Sequence, residues 1–254
     1  MKIFELLNLN HSGLDDVKTF MAGIECEIES VDSKRDFPNF IYTTDGSLRN
    51  DGAEFISNPL DKETLLSAFR NLHAEIDYYD KSMAFSPRTS THVHINCRTL
   101  TEQHTRQLIL FYALFEEYFF AMVNKDRRHN IHCVPLTETF LPSIYKYPVR
   151  KMIPQWHKYT ALNVLPLVKQ GSIEFRHLQG TDSSGLLDEW LTTLDNLWRM
   201  CQREEINPIS LNNPIMVKQW WRTLFGHSPR IMALEPTLPS MTRNSMLDVK
   251  FAFI

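Results

Sequence analysis

The chain has 254 residues, of which 43% are hydrophobic and 22% charged, a balance typical of globular proteins rather than of disordered chains. Its formal net charge of −3 argues against a surface that coats nucleic acid, so no nucleic-acid partner is expected. No apolar run approaches the roughly 20 residues of a membrane helix, the N-terminus lacks a signal peptide, and four widely spaced cysteines contain no C-x-x-C pair. These features predict a cytoplasmic soluble protein that binds no membrane.

Six strands and four helices are predicted from apolar periodicity and turn signals. The strands lie at 22–30, 39–44, 52–57, 90–97, 159–165 and 172–178, and the helices at 61–79, 99–123, 183–203 and 214–225. Turn residues join the second strand to the third and the fifth to the sixth, so each pair is expected to form a hairpin.

The helix at 99–123 has the clearest boundary signal, because Thr99 and Glu102 have the spacing of a capping box. Its many phenylalanines and tyrosines are expected to pack in the core. The tail at 227–254 contains several prolines and serines and is expected to dock on the body of the protein. Trp220 and Trp221 can pack either within the monomer or against a partner subunit, and the oligomeric state stays open.

Together these elements predict an α+β fold, with an antiparallel sheet and helices packed on its outer face. We expect one catalytic domain over residues 1–254. Its motif-bearing core lies at about 20–185, followed by a helical and extended region at about 186–254.

The first strand places charged side chains at every second position. Glu25, Glu27 and Glu29 alternate with apolar residues, so the three carboxylates are expected on one face of the sheet. Like charges in a row are unfavourable unless a cation lies between them.

Other strands repeat this arrangement with metal-binding side-chain types. The residues expected on the same polar face are Glu54 in the third strand, His92, His94 and Asn96 in the fourth, and Glu174 and Arg176 in the last. Taken singly, each pattern is better explained without a metal, for example by a solvated face or an internal ion pair. Taken together, they predict a divalent metal site, and carboxylates with one imidazole favour Mg²⁺ or Mn²⁺ over zinc.

Any nucleotide would have to be held without a glycine-rich loop. The sequence contains neither a P-loop nor a dinucleotide-binding motif, and it has only eight glycines. Metal ions and arginines would therefore hold the phosphates.

Six short motifs occur in an order that resembles the putative amidoligase family, distant relatives of glutamine synthetase and γ-glutamylcysteine ligase. They are G-I-E-C-E, T-D-G-S, E-F-I-S-N-P, T-H-V-H-I-N, K-Y-T-A-L-N-V and I-E-F-R-H-L-Q-G-T, and they cover roughly residues 20–185. The resemblance implies a curved antiparallel sheet that forms a funnel-like active site, as in the catalytic domain of glutamine synthetase, with ATP and two or three Mg²⁺ ions. A substrate carboxylate would attack the γ-phosphate of ATP, and an amine would then displace phosphate from the acyl phosphate.

The resemblance also implies roles for individual residues. Glu25, Glu27, Glu54 and Glu174 would bind metal, with His92 favoured over His94 as the imidazole ligand. Glu54 would also have a catalytic role, and Arg176 would stabilise the transferring phosphoryl group.

Two basic positions are less specific. Arg127 and Arg128 follow the long helix and are expected near phosphate or a substrate carboxylate, although cations are also favoured at any helix C-terminus. Lys158 is a candidate phosphate ligand at a position where the family more often has arginine. A lysine there cannot form the bidentate contact that an arginine makes with phosphate. Asp45 is expected to be a turn residue, with substrate contact as the alternative.

The expected function is therefore ATP- and Mg²⁺-dependent joining of a small-molecule or peptide carboxylate to an amine. A metal-dependent hydrolase keeps the same site but needs no ATP, and a non-catalytic metal- or nucleotide-binding protein keeps the fold without turnover.

Overall fold

A six-stranded antiparallel sheet forms the centre of the protein. The computed structural model describes residues 1–78, 84–136 and 144–253. The strands are β1 (Ala22–Ile28), β2 (Phe40–Thr43), β3 (Ala53–Ser57), β4 (Thr91–Asn96), β5 (Leu162–Asn163) and β6 (Ser172–Phe175), in the spatial order β2-β3-β1-β4-β6-β5. The predicted α+β class, the six strands and the two hairpins are confirmed.

Ten α-helices occur in the described part of the chain. They are α1 (Ile3–Leu6), α2 (Lys62–Glu75), α3 (Glu102–Ala121), α4 (Val149–Met152), α5 (Ser184–Met200), α6 (Pro208–Leu211), α7 (Pro214–Phe225), α8 (Pro229–Met232), α9 (Leu238–Met241) and α10 (Arg243–Phe251). The four predicted helices correspond to α2, α3, α5 and α7. None of the helices in the described ranges has the length and apolarity to cross a membrane.

The start of α3 differs from the predicted capping box. Thr101, not Thr99, is the N-cap and accepts a hydrogen bond from the His104 backbone N–H at 3.1 Å. Glu102 instead accepts hydrogen bonds from the Val149 backbone N–H and the Arg106 guanidinium. The carboxylate of Glu102 is therefore used for tertiary contacts to α4.

The apolar face of the sheet packs against α3, as its aromatic composition predicts. Phe175 in β6 contacts the rings of Tyr112 and Phe119, and Phe119 also packs edge-on against Trp190 of α5. This aromatic layer fixes one face of the sheet to the helices. The polar side chains of the strands lie on the opposite face.

The C-terminal tail docks on the body, as predicted, and it does so as helices. In α10 the Ser245 hydroxyl donates to the Leu114 carbonyl of α3 at 2.9 Å, and Val249 is fully buried. Trp220 and Trp221 are also buried within the chain. Two residues of the predicted segments lie outside the described residues, Tyr79 at the predicted end of α2 and Ile254 at the end of the tail.

Candidate active site

The register of the strands brings the predicted polar side chains together on one face. Opposite residues in an antiparallel pair point to the same side of the sheet. Glu27 lies opposite Glu54, Glu25 lies opposite His92, and His94 lies opposite Glu174.

A first group of possible metal ligands lies in the middle of this face. Glu25, His94 and Glu174 each offer one ligand atom within 4.8 Å of the others. The Asn163 amide donates to Glu174 at 2.7 Å from the neighbouring strand β5. This bond fixes one oxygen of Glu174, and the other oxygen contacts His92 Nδ1 and pairs with Arg176.

The Nε2 nitrogen of His94, which faces the Glu25 carboxylate, suits metal binding. The Ser172 hydroxyl donates to the Gln170 side chain at 3.0 Å, so it accepts a hydrogen bond from His94 Nδ1 at 3.3 Å. The buried Nε2 of His94 makes no hydrogen bond within the described residues and lies 3.1 Å from a Glu25 oxygen. An imidazole held through one nitrogen, with the other facing carboxylates, is the usual arrangement of a metal-bound histidine.

His92 has a different environment. Its Nε2 lies 2.8 Å from the Ser90 hydroxyl, and its Nδ1 lies 3.2 Å from both Glu25 and Glu174. Both ring nitrogens are therefore engaged by protein groups. These contacts favour a positioning role for His92, and the group of close ligand atoms contains His94 rather than His92, which the resemblance favours as the ligand.

A second group lies one step further along the strands. Glu27, Asp45 and Glu54 also place one ligand atom each within 4.8 Å of the others. The backbone N–H and hydroxyl of Ser90 both donate to Glu27, at 2.7 and 2.6 Å. Asp45 accepts from the Ser47 backbone N–H at 2.8 Å, so it is a turn residue, as predicted, and also part of this group.

Crowding of carboxylates changes their pKa values. Burial, together with the charges of Glu25, Glu27 and other neighbouring carboxylates, raises the pKa of Glu54 to about 8. Burial also acts to raise the pKa of Glu25, but contacts with His92 and His94 hold it well below its usual range. The two groups therefore differ, because an imidazole balances the first, whereas the second needs a proton or a cation.

Both groups line a cavity of about 550 Å³ that basic side chains also line. The lysines and arginines that line it are Arg88, Arg127, Lys158, Lys169 and Arg176. Carboxylates and cations in one cavity can hold a metal–phosphate complex, because the metal binds to the acids and the phosphate oxygens bind to the bases.

Backbone carbonyls hold two of the predicted arginines in place, Arg176, which directly follows β6, and Arg127, which follows α3. Arg127 donates from Nε to the His177 carbonyl at 2.9 Å and from Nη2 to the Arg176 carbonyl at 2.6 Å. Arg176 donates from Nε to the His132 carbonyl at 3.0 Å and pairs through Nη1 with Glu174. The guanidinium of Arg176 is thus held beside Glu174 of the first group of acids, and that of Arg127 is held in the wall of the cavity.

Two residues on which the sequence analysis commented lie elsewhere. Arg128 is absent from the described lining of the cavity, and its guanidinium pairs with Glu117 of α3 at 3.0 Å. Glu29 lies beyond the end of β1, where it accepts a hydrogen bond from the Arg49 backbone N–H at 2.9 Å. Two of the three alternating glutamates therefore reach the cavity.

Several site residues were not anticipated from sequence. Ser90, Asn163, Arg88 and Lys169 lie in the cavity wall or bond to its acids. Asn163 and Ser90 are in or beside polar strands, so the alternation that identified the glutamates could have indicated them. Arg88 and Lys169 lie in connecting segments, and no local pattern identifies them.

Comparison with known proteins agrees with this chemistry. A family model described as "putative amidoligase enzyme" matches residues 43–198, more than half of the chain. The match includes Glu54, both histidines of β4, Glu174 and Arg176, whereas Glu25 and Glu27 precede it. No curated protein is significantly similar to the chain. The chain belongs to the putative amidoligase family, whose members are classed as ligases that form amide bonds.

Proposed function

We propose that the protein joins a carboxylate to an amine in an ATP-dependent reaction that passes through an acyl phosphate and requires Mg²⁺ or Mn²⁺. The observation that carries this proposal is that two groups of potential metal-binding side chains and five cationic side chains line the same cavity. Amide formation from a carboxylate requires a better leaving group than oxide, and phosphate is one. The carboxylate oxygen that has taken the phosphoryl group leaves with that group as phosphate, and a proton of the amine is transferred to this phosphate.

The donor set fits hard divalent cations. Glu25, His94 and Glu174 would hold one ion, and Glu27, Asp45 and Glu54 another. The buried Nε2 of His94, which has no hydrogen bond within the described residues, and the crowded carboxylate of Glu54 are both groups that a cation would satisfy. A cation held by these residues would neutralise the charge that develops on the phosphate oxygens.

The side chains of the cavity would position the reactants. Arg176, fixed by Glu174 and the His132 carbonyl, would contact the transferring phosphoryl group. Lys158, Lys169 and Arg88 would contact the outer phosphates. His92 would keep Glu25 and Glu174 in place, since its Nδ1 contacts both.

The test is calorimetric titration of metal-free protein with a non-hydrolysable ATP analogue, with and without Mg²⁺. We expect binding that requires Mg²⁺ and is weakened at least about tenfold by Glu27→Gln and by Arg176→Ala. Removal of one contact between ionised groups costs more than the roughly 1.4 kcal/mol that tenfold represents. Glu27→Gln should also abolish ATP turnover.

Two matched variants serve as controls. Glu29→Gln changes a buried glutamate of the same segment outside the cavity, and Arg128→Ala removes a neighbouring arginine that pairs with Glu117. Both should bind the analogue like wild type. Equal weakening by Glu27→Gln and Glu29→Gln, or turnover of amide or phosphoester substrates without ATP, would contradict the proposal.

A further inference from the structure

A second, smaller cavity adjoins the first and differs from it in charge. It has a volume of about 250 Å³, and Glu25, His94 and Gln170 line both cavities. None of the described residues that line it is a lysine or an arginine. The first group of metal-binding side chains therefore lies at the junction of a cationic cavity and one without cations.

The register explains this difference in charge. One pleat along from the charged residues, each strand carries an uncharged residue on the same face. On β1 the face runs from Glu25 to Gly23, and on β3 from Glu54 to Ile56. On β4 it runs from His94 to Asn96.

The same step on β6 leads from Glu174 to Ser172, which lies opposite Asn96. On the neighbouring strands β3, β1, β4 and β6, the side chains of this face thus change from ionisable to uncharged towards the same end of the sheet. We define the small cavity at this uncharged end as the neutral chamber.

The uncharged polar side chains in the wall of the neutral chamber have hydrogen-bond partners within the protein. Ser57 accepts from the Ile24 backbone N–H at 2.8 Å and donates to the Asn58 carbonyl at 3.0 Å. The Asn96 amide donates to the Leu14 carbonyl at 3.3 Å, and the Ser172 hydroxyl donates to the Gln170 side chain at 3.0 Å. Apart from Glu25 and His94 at the junction, the remaining side chains of the wall are apolar, namely Leu14, Ile24, Ile56 and Pro59. The chamber therefore suits an apolar body.

We propose that the neutral chamber binds the amine substrate, and that this substrate is a primary amine on a short aliphatic chain without a carboxylate of its own. This inference rests on the proposed function. The described lining of the chamber offers a carboxylate or phosphate no lysine or arginine to pair with, whereas an aliphatic amine has no negative charge that needs such a partner. On the order of eight water molecules occupy 250 Å³ at their liquid volume, so the occupant has about five to eight heavy atoms.

The position also suits the second step of the reaction. Nucleotide phosphates would fill the cationic cavity, so the acyl carbon would lie at the junction near Glu25 and His94. An amine in the neutral chamber would reach that carbon from the side of the chamber. The ammonium first gives one proton to water, the amine nitrogen then adds to the acyl carbon, the carbon–oxygen bond to phosphate breaks, and phosphate takes the second proton.

The experiment compares three ligands with the same four-carbon chain and different polar groups, n-butylamine, butyrate and n-butanol. Methyl-labelled protein is titrated with each in the presence of Mg²⁺ and the non-hydrolysable ATP analogue, and the methyl NMR signals of Ile56 and Leu14 are followed. We expect butylamine to shift both signals with a dissociation constant in about the millimolar range, with butanol weaker and butyrate without effect. Tighter or equal binding of butyrate, or no shift with any of the three, would overturn the inference.

Variants separate this inference from the proposed function. Ile56→Trp fills the chamber from β3, and Leu14→Trp fills it from the opposite wall. Both should weaken butylamine binding at least about tenfold and keep Mg²⁺-dependent binding of the analogue, which also shows that they fold. Ile41→Trp is the control, because Ile41 pairs with Ile56 on the same face but is 59% exposed and outside the described lining. Loss of analogue binding in wild type would instead contradict the proposed function.

Discussion

At the scale of single residues, hydrogen bonds distinguish side chains that look equivalent in sequence. His92 and His94 are two positions apart on β4, yet His92 contacts Ser90, Glu25 and Glu174, whereas His94 contacts Ser172 through Nδ1 and faces Glu25 through Nε2. Glu27 and Glu29 are likewise two apart, but Glu27 faces the cavity and Glu29 bonds to the Arg49 backbone. Residue type alone does not determine which member of each pair belongs to the site.

The crowded carboxylate of Glu54 predicts a dependence of stability on pH in metal-free protein. Its pKa is about 8 in the folded state and 4.5 as its ordinary value, so the folded state holds an extra proton between these limits. Stability contributed by this proton is full below pH 4.5 and is lost as pH rises towards 8. As pH rises from 4.5 to 8, the unfolding free energy measured by urea titration should fall less for Glu54→Gln than for wild type. Identical slopes for the two proteins in EDTA would contradict the assignment.

At the scale of secondary-structure elements, alternation predicts the strands well and their ends poorly. β1 stops at Ile28, ahead of Ser30, whose φ of 56° is left-handed. β5 is confined to Leu162–Asn163, because the Leu162 carbonyl accepts the Trp156 indole N–H at 2.9 Å. These ends are set by contacts with distant or irregular segments, which periodicity does not contain.

Docking of α10 predicts an asymmetric response to charge on its two faces. Val249→Asp places a carboxylate at a fully buried position on the face that packs on α3 and should lower the unfolding free energy by at least about 3 kcal/mol. Leu247→Asp, at a position that is 51% exposed, should change it by about 0.5 kcal/mol or less. Urea unfolding of both variants checks this. Equal losses would show that α10 packs by another face.

At the scale of the whole molecule, the site depends on strands that are distant in sequence. The order β2-β3-β1-β4-β6-β5 brings Glu25 beside Glu174, which lies on β6. The sequence predicts that these acids share a face, because each strand alternates. It does not give the strand order or the register, so neither the division into two metal groups nor the neutral chamber could be predicted from it.

Because the proposed ligands connect four strands, their occupation should stabilise the whole fold. At one hundred times its dissociation constant, a ligand of the folded state adds about 2.7 kcal/mol. For a chain of this size that should raise Tm by roughly 5–10 °C. Thermal unfolding with Mg²⁺ and the non-hydrolysable ATP analogue measures the shift, and Glu27→Gln should reduce it strongly. A wild-type Tm that stays constant would contradict ligand binding at this site.

The outermost strands have a consequence for how the protein meets other chains. On the outward side of β2, the Phe40 backbone N–H donates to the Phe37 carbonyl and the Tyr42 backbone N–H donates to the Asp36 side chain, both at 2.9 Å. At the other margin, Val134 bonds to the backbone of residues beside β5. These contacts protect an open sheet from edge-to-edge aggregation. They also disfavour strand addition as a way to bind a peptide, so a peptide substrate would have to be recognised through its side chains and terminal groups.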